Sequence, residues 1–315
     1  MFSKKMLTFA ISVLGIVFAV AIFIGLSGNI AIAGDPPEFP DLCGNNDEFT
    51  TEFRLRDCRY FKTIGKNPYF KLIPGYQLIL EGIEEDDAGE EVGVREEVTV
   101  LCDTKWINLD GRWIKTRVVE ERALEWDEDE GEEGGYVTIE ISRNWFAICS
   151  KTNDVYYFGE FSRDCEDGFD ENDVCEGGAD TTGSWKAGVD GARPGIIMPG
   201  TFLLGAKYFQ EIAPPDAVDR AEHLEMRVDV DVPAGMWSGC VTVIDTNPAE
   251  GDCGDDDAKT YCPGVGIVQD AILDLVSYGY VGCDDDDDHD HDDDDDDDDD
   301  DHDKRNKWRK KWSRR

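Results

Sequence analysis

The chain has 315 residues, a formal net charge of −40 and a sequence pI near 4.2. So acidic a surface repels nucleic acid and anionic membranes and gathers cations, which excludes DNA and RNA as partners. Its 10 cysteines form an even set, which in an exported chain argues for disulfides over free thiols.

The N-terminus carries Lys4 and Lys5, an apolar run from Met6 to Leu26, and then Ala31-Ile32-Ala33 before Gly34. That order of basic, apolar and small residues is a signal peptide over 1–33, and it implies export to the periplasm, cell surface or medium. The apolar run is also long enough to serve as an uncleaved membrane anchor. Residues 34–57, opening on Asp35-Pro-Pro-Glu-Phe-Pro40, read as a stiff linker.

From 58 to 283 the pattern is that of one β domain. Tyr76–Glu81, Val94–Ile107, Trp113–Leu124, Tyr136–Cys149 and Val155–Phe161 are rich in β-branched and aromatic residues and are bounded by polar turns. Asn108-Leu-Asp-Gly111 and Thr152-Asn-Asp154 have the composition of tight hairpin turns. In a regular meander the acidic turns 84–91 and 125–133 then share one pole of the sheet. Gly183–Gly200 is too rich in Gly and Pro for a helix or a long strand, so it is expected as a loop packed by Trp185, Val189, Ile196, Ile197 and Met198. Beyond it, Phe202–Ile212, Ala221–Val232, Trp237–Asp245, Lys259–Tyr261, Cys262–Val268 and Ile272–Tyr280 read as further strands, with a short helix near Pro215–Arg220. The expected fold is therefore mainly β: a single antiparallel meander forming a curved open sheet or partial barrel, disulfide-bonded, followed by a disordered acidic tail. Cys165–Cys175, ten residues apart in one loop, is the simplest pairing.

Several ordered motifs carry a resemblance: Asn67-Pro-Tyr-Phe-x-Leu-x-Pro-Gly75, Glu81-Gly82, Asp154-Val-Tyr-Tyr-Phe-Gly-Glu160, Trp185 to Pro199, Asp219-Arg-Ala-Glu222 and Pro263-Gly-Val-Gly-Ile-Val268. Over residues 58 to 280 the chain resembles a large group of exported bacterial β-rich proteins of unassigned function. The resemblance implies a shared single β domain and brings no catalytic residues with it. The acidic Cys165–Cys175 insertion and everything after Cys283 depart from that group.

Two segments suggest cation chemistry. The insertion places Asp164, Asp167, Asp170, Glu171 and Asp173 on a short loop, and closely spaced carboxylates supply the oxygens that calcium takes. Its spacing is similar to the calcium repeats of thrombospondin type 3 but one residue short in the first interval, and it fails the EF-hand pattern. Residues 284–303 are Asp except for His289, His291 and His302. Self-repulsion keeps such a run extended, and it condenses divalent cations, with the imidazoles adding Zn, Ni or Cu affinity. A plain solubility role for loop and tail is the competing account. The last stretch, 304–315, is basic with Trp308 and Trp312 four apart, suited to an anionic surface or to folding back on the aspartates.

Catalytic signatures are absent from the sequence: there is no Gly-x-Ser-x-Gly elbow, no His-Glu-x-x-His helix and no phosphate loop. Outside the tail the only histidine is His223, expected as a structural group on a strand face. Asp219, Arg220 and Glu222 are expected to pair with Arg193 or to edge a strand. The leading expectation is a non-enzymatic exported protein binding calcium or other divalent cations. One alternative is a binding module or carrier for an apolar ligand, lined by Trp106, Trp113, Trp145 and Tyr157; another is an acid-dependent hydrolase.

Overall fold

The structure, a computed structural model, describes residues 40–85, 89–128, 130, 134–215, 217–254 and 258–283. All of these belong to one unit that ends at Cys283, and 284–315 form a separate one outside the described residues.

The described strands are β1 Phe61–Lys62, β2 Gly65–Lys66, β3 Lys71–Leu72, β4 Tyr76–Glu85, β5 Glu91–Leu109, β6 Arg112–Asp127, β7 Gly135–Cys149, β8 Val155–Asp164, β9 Trp185–Lys186, β10 Arg193–Met198, β11 Lys207–Phe209, β12 Glu211–Ile212, β13 Arg220–Val232, β14 Gly235–Thr246, β15 Ala258–Cys262, β16 Gly266–Asp270 and β17 Leu273–Tyr280. All but β2 and β3, which pair with each other, join one 15-stranded sheet. Its path runs β11-β13-β14-β15-β16-β17-β4-β5-β6-β7-β8-β10-β12, with β1 beside β7 and β9 beside β8. Every ladder in it is antiparallel.

Two meanders, β4 to β8 and β13 to β17, meet edge to edge where β17 pairs with β4. At the far ends, β11 and β12 are separated in sequence only by Gln210, so the sheet curls until its margins lie side by side. No ladder joins β11 to β12, and the curl stays open. The core fills its interior, from Leu80 and Val94 through Ile107, Phe146, Tyr157 and Phe158 to Val243, Val268 and Leu275.

Turn chemistry sets the register where the strands are local. Asp110 and Gly111, at φ 51° and 81°, form a two-residue turn of the left-handed kind that matches strand twist, with the Gly111 N–H donating to Asn108 Oδ1 at 3.0 Å. Three of the ordered segments, those at Asn67, Asp154 and Pro199, meet in one place. Asn67 Nδ2 donates to the carbonyls of Asn153 and Pro199 at 3.0 and 2.9 Å, and the Gly200 N–H donates to Asp154 Oδ1 at 2.8 Å. They hold the hairpin β2–β3 against the end of the Gly/Pro stretch, a structural role.

The cysteines pair as Cys43–Cys253, Cys58–Cys149, Cys102–Cys283, Cys165–Cys175 and Cys240–Cys262. Five such crosslinks fit an extracellular or periplasmic location. Among the described residues no helix is long and apolar enough to cross a membrane.

Several expectations are corrected. Gly183–Gly200 is not all loop, because Arg193–Met198 is strand β10: Gly195 has no Cβ to meet the Gln210 carbonyl, which would lie 2.1 Å away, so β10 can lie close against β12 while pairing with β8 on its other side. Phe202–Ile212 is strand only over β11 and β12. Pro215–Arg220 is not helical among the described residues; Ala213 and Ala217 bridge across a turn at a cis Pro214–Pro215 bond. The described part of the expected linker packs onto the domain, because Cys43 is crosslinked and Phe49 is buried with Phe209, Ile212 and Val218. The acidic turns fall partly on residues 86–88, 129 and 131–133, which lie outside the described residues, as do the leader, the Asp/His tail and the basic end.

Candidate functional site

In a strand, residues two apart share a face. Glu96 stands between Val94 and Val98 on β5, and Glu121 between Val119 and Ala123 on β6, so both carboxyls turn toward the core. Glu160 on β8, Glu211 on β12, Asp245 on β14 and Asp270 on β16 do the same, half-buried Glu140 on β7 lies close enough to act on Glu160, and Asp219 joins them just before β13. Strands β5, β6, β7, β8 and β14 thus each contribute one acid to an interior belt, with Glu211, Asp270 and Asp219 added from β12, β16 and the residue before β13; among the described residues its one buried lysine is Lys259 on β15.

The belt is part hydrogen-bonded, part orphaned. Lys259 Nζ lies 3.2 Å from Asp270 Oδ2 and 3.4 Å from Asp245 Oδ2. Gln210 Nε2 donates to Asp245 at 3.2 Å, Trp185 Nε1 to Glu211 at 3.1 Å and Ser162 Oγ to Glu140 at 3.1 Å. The Tyr157 hydroxyl donates to Asn144 and also contacts Glu160 and Glu211. Glu96 Oε2, Glu121 Oε2, Glu160 Oε1 and Asp219 Oδ1 are buried with no hydrogen-bond partner among the described residues.

Eight acids against one lysine cannot all ionise in a medium of low polarity. Burial first, and then neighbouring carboxylates, push Glu96, Glu160 and Asp219 well above the usual range. Burial likewise lifts Glu121 and Glu140 to about 8 and Glu211 to about 7. Burial alone would lower Lys259, but Asp270 and Asp245 more than offset it and hold it well above its ordinary value. At neutral pH these shifts favour the neutral acid form of Glu96, Glu121, Glu140, Glu160 and Asp219.

The belt reaches two openings. At one end a pocket of about 280 Å³ lies under the Gly/Pro stretch, lined by Trp145, Glu160, Phe161, Ser184, Trp185 and Lys186 among others. Glu160 pairs with Trp185 across β8 and β9 and lines the pocket from a buried position. Gly159 shapes this wall: at φ 142° it leaves room for Trp145, whose Cε3 would lie 2.7 Å from an added Cβ, and for the Trp185 carbonyl at 2.5 Å. A Gly159→Ala variant should lose about 2–3 kcal/mol or more in denaturant unfolding, since both the backbone and the indole must shift. At the other end a cavity of about 60 Å³ is lined by Glu96, Glu121, Lys259 and Asp270 and by apolar side chains.

The cation-site candidates do not converge. Asp173 holds Arg122 in a two-pronged pair at 2.7 Å per arm, and Arg122 also binds Glu120 at 2.8 Å, so the insertion is pinned over the outer face of β6. Asp170 Oδ1 accepts the backbone N–H groups of Asn172 and Val174 at 2.8 and 2.9 Å. Asp167 and Glu171 point to solvent, and Asp164 faces Asp180 across an isolated bridge, burial lifting it to about 6. Among the described residues no group of three or more His, Cys, Asp or Glu is placed to hold a metal ion. His289, His291 and His302 lie outside the described residues.

His223 is structural. It is buried, stacks on Phe202 at 3.7 Å, contacts the Tyr208 hydroxyl at 3.0 Å, and burial lowers it to about 4. The expected pairing with Arg193 does not occur: Arg193 meets Glu52, Glu222 meets Lys207, and Arg220 donates to Asn45, Asn46 and Thr246. Of the expected ligand-lining aromatics, Trp106 and Trp113 are 55% and 61% exposed, whereas Trp145 and Tyr157 are buried beside the pocket. The interior acids escaped the sequence reading, although Glu96 and Glu121 at apolar positions of the strand alternation are a signal that could have found them.

Fold and site together define a disulfide-bonded, open antiparallel β protein with an acid-lined interior. No family model matches this chain, and neither a curated protein nor a solved structure matches it.

Proposed function

We propose that the protein is an exported, non-enzymatic binding module for a small neutral hydroxylated molecule of monosaccharide size, seated in the pocket under the Gly/Pro stretch. One observation carries the reading: a pocket of about 280 Å³ with aromatic walls is lined by Glu160, a buried acid whose Oε1 has no hydrogen-bond partner among the described residues. Ligand sites are typically mostly apolar clefts of a few hundred Å³ with a few fixed polar groups. A neutral acid both donates and accepts, as a ligand hydroxyl does, and C–H faces rest well on indole rings. Saturation-transfer NMR with methyl glucosides, methyl mannosides and N-acetylglucosamine tests it. Binding should survive Glu160→Gln, which keeps a neutral donor and acceptor, and weaken about tenfold or more in Glu160→Leu. Absence of transfer from every sugar, or equal binding by the leucine variant, contradicts the proposal.

A second reading rests on the charge of −40 and on the Asp run 284–303: divalent cations, calcium first, gather on acidic turns and tail with low affinity and high capacity. Zinc, nickel or copper would add through His289, His291 and His302, and the basic end would meet an anionic surface. Calorimetry with calcium should lose most of its heat in a chain ending at Cys283, and undiminished heat would move the binding to the folded sheet.

A further inference from the structure

We propose that the interior cavity is a second, independent site, one that takes a small primary alkylammonium ion. It measures about 60 Å³, room for about four to six heavy atoms at roughly 10–15 Å³ for each water-sized sphere. Leu78, Val98, Val100 and Val119 supply hydrocarbon walls, and Glu96 and Glu121 the polar end.

Both acids are at least nine-tenths buried, at 2% and 8% exposure, and Glu96 Oε2 and Glu121 Oε2 have no hydrogen-bond partner among the described residues. Lys259, Asp245 and Asp270 line the same cavity; the Lys259 ammonium lies 3.4 and 3.2 Å from the two aspartates, and its charge favours ionisation of both glutamates without giving either Oε2 a hydrogen bond. An acceptor buried without a donor carries a standing penalty, and a ligand that brings N–H groups removes it. An ammonium offers three. A metal ion suits the place less well: calcium takes six to eight oxygens, and among the described residues no metal-holding group is formed. The apolar walls match an alkyl chain, while the field of a protein at −40 concentrates cations around it. Half-buried Phe70, Lys71 and Ile267 belong to the lining and give a way out to the surface. As the cation enters beside Glu121, the carboxyl O–H bond breaks, the carboxylate stays paired with the ligand, and the proton passes to solvent.

Titration of the full chain with n-butylammonium and with n-butanol, in two buffers of different ionisation enthalpy, is the test. Expected are one saturable butylammonium site, butanol weaker by about tenfold or more, and a heat that changes with buffer in proportion to a released proton. Glu96→Gln should weaken butylammonium about tenfold. Val98→Phe, which fills the cavity from a half-buried position and leaves both acids in place, should abolish it. Equal binding of the alcohol and the amine, no saturable heat at millimolar amine, or undisturbed binding in Val98→Phe overturns the proposal. The pocket at Glu160 plays no part in this experiment, so its outcome is separate from the sugar reading.

Discussion

Replacing Lys259 with methionine lowers the unfolding free energy by about 3–5 kcal/mol at pH 7, the range for stranding a buried charge partner. The side chain is fully enclosed and its ammonium bridges Asp245 and Asp270, so methionine keeps much of the volume and removes the charge. The aspartates must then either remain ionised without a counterion or take up protons. Acid supplies those protons, and the deficit of the variant should therefore shrink by pH 4–5. Denaturant unfolding of both proteins at the two pH values checks this. A deficit of equal size at both would mean that methionine merely packs badly.

The second large effect is on pH. Glu121 and Glu140 stay protonated in the fold up to about 8 and Glu211 up to about 7, yet each ionises near 4.5 once the chain unfolds. Between those limits the folded state holds more protons than the unfolded one. Stability contributed by these acids is therefore complete below about 4.5 and is lost as pH rises through 7 to 8. Glu96, Glu160 and Asp219, pushed higher still, add to the same slope. Asp173 works in the opposite direction: its contact with Arg122 holds it below 3.8, so its contribution fades only in stronger acid. The melting temperature should peak near pH 4–5 and fall by on the order of 10 °C by pH 8, at roughly 2–4 °C per kcal/mol for a domain of this size. Most proteins paired through ionised carboxylates do the reverse. A peak near neutrality would show that the interior acids are ionised in the fold.

Particular residues explain how much of this was legible in the sequence. Branched and aromatic runs such as Val94–Ile107 and Tyr136–Cys149 announce strands because strand formation there is local, and Asp110-Gly111 announces its turn for the same reason. Cys165 and Cys175 were readable because ten residues close a small loop. What could not be read is contact between distant strands. The pairing of β17 with β4 joins residues nearly two hundred positions apart, and only that pairing brings Asp270 and Lys259 beside Glu96. Strand β10 was hidden because its Gly and Pro, breakers in isolation, are what let it approach Gln210 and Glu211. The acidic insertion misled in the opposite way. Its carboxylates are close in sequence, but Arg122, far away in the chain, claims Asp173, and the loop's own backbone claims Asp170.

The central claim, that a curled sheet stores neutral carboxylic acids at neutral pH, is tested most directly by infrared difference spectroscopy between folded and unfolded protein at pH 7. A carbonyl band of un-ionised carboxylic acid should be present in the folded protein, weaken in Glu121→Gln and Glu140→Gln, and vanish on unfolding. A folded protein whose carboxyl groups all absorb as carboxylates at pH 7 would contradict it.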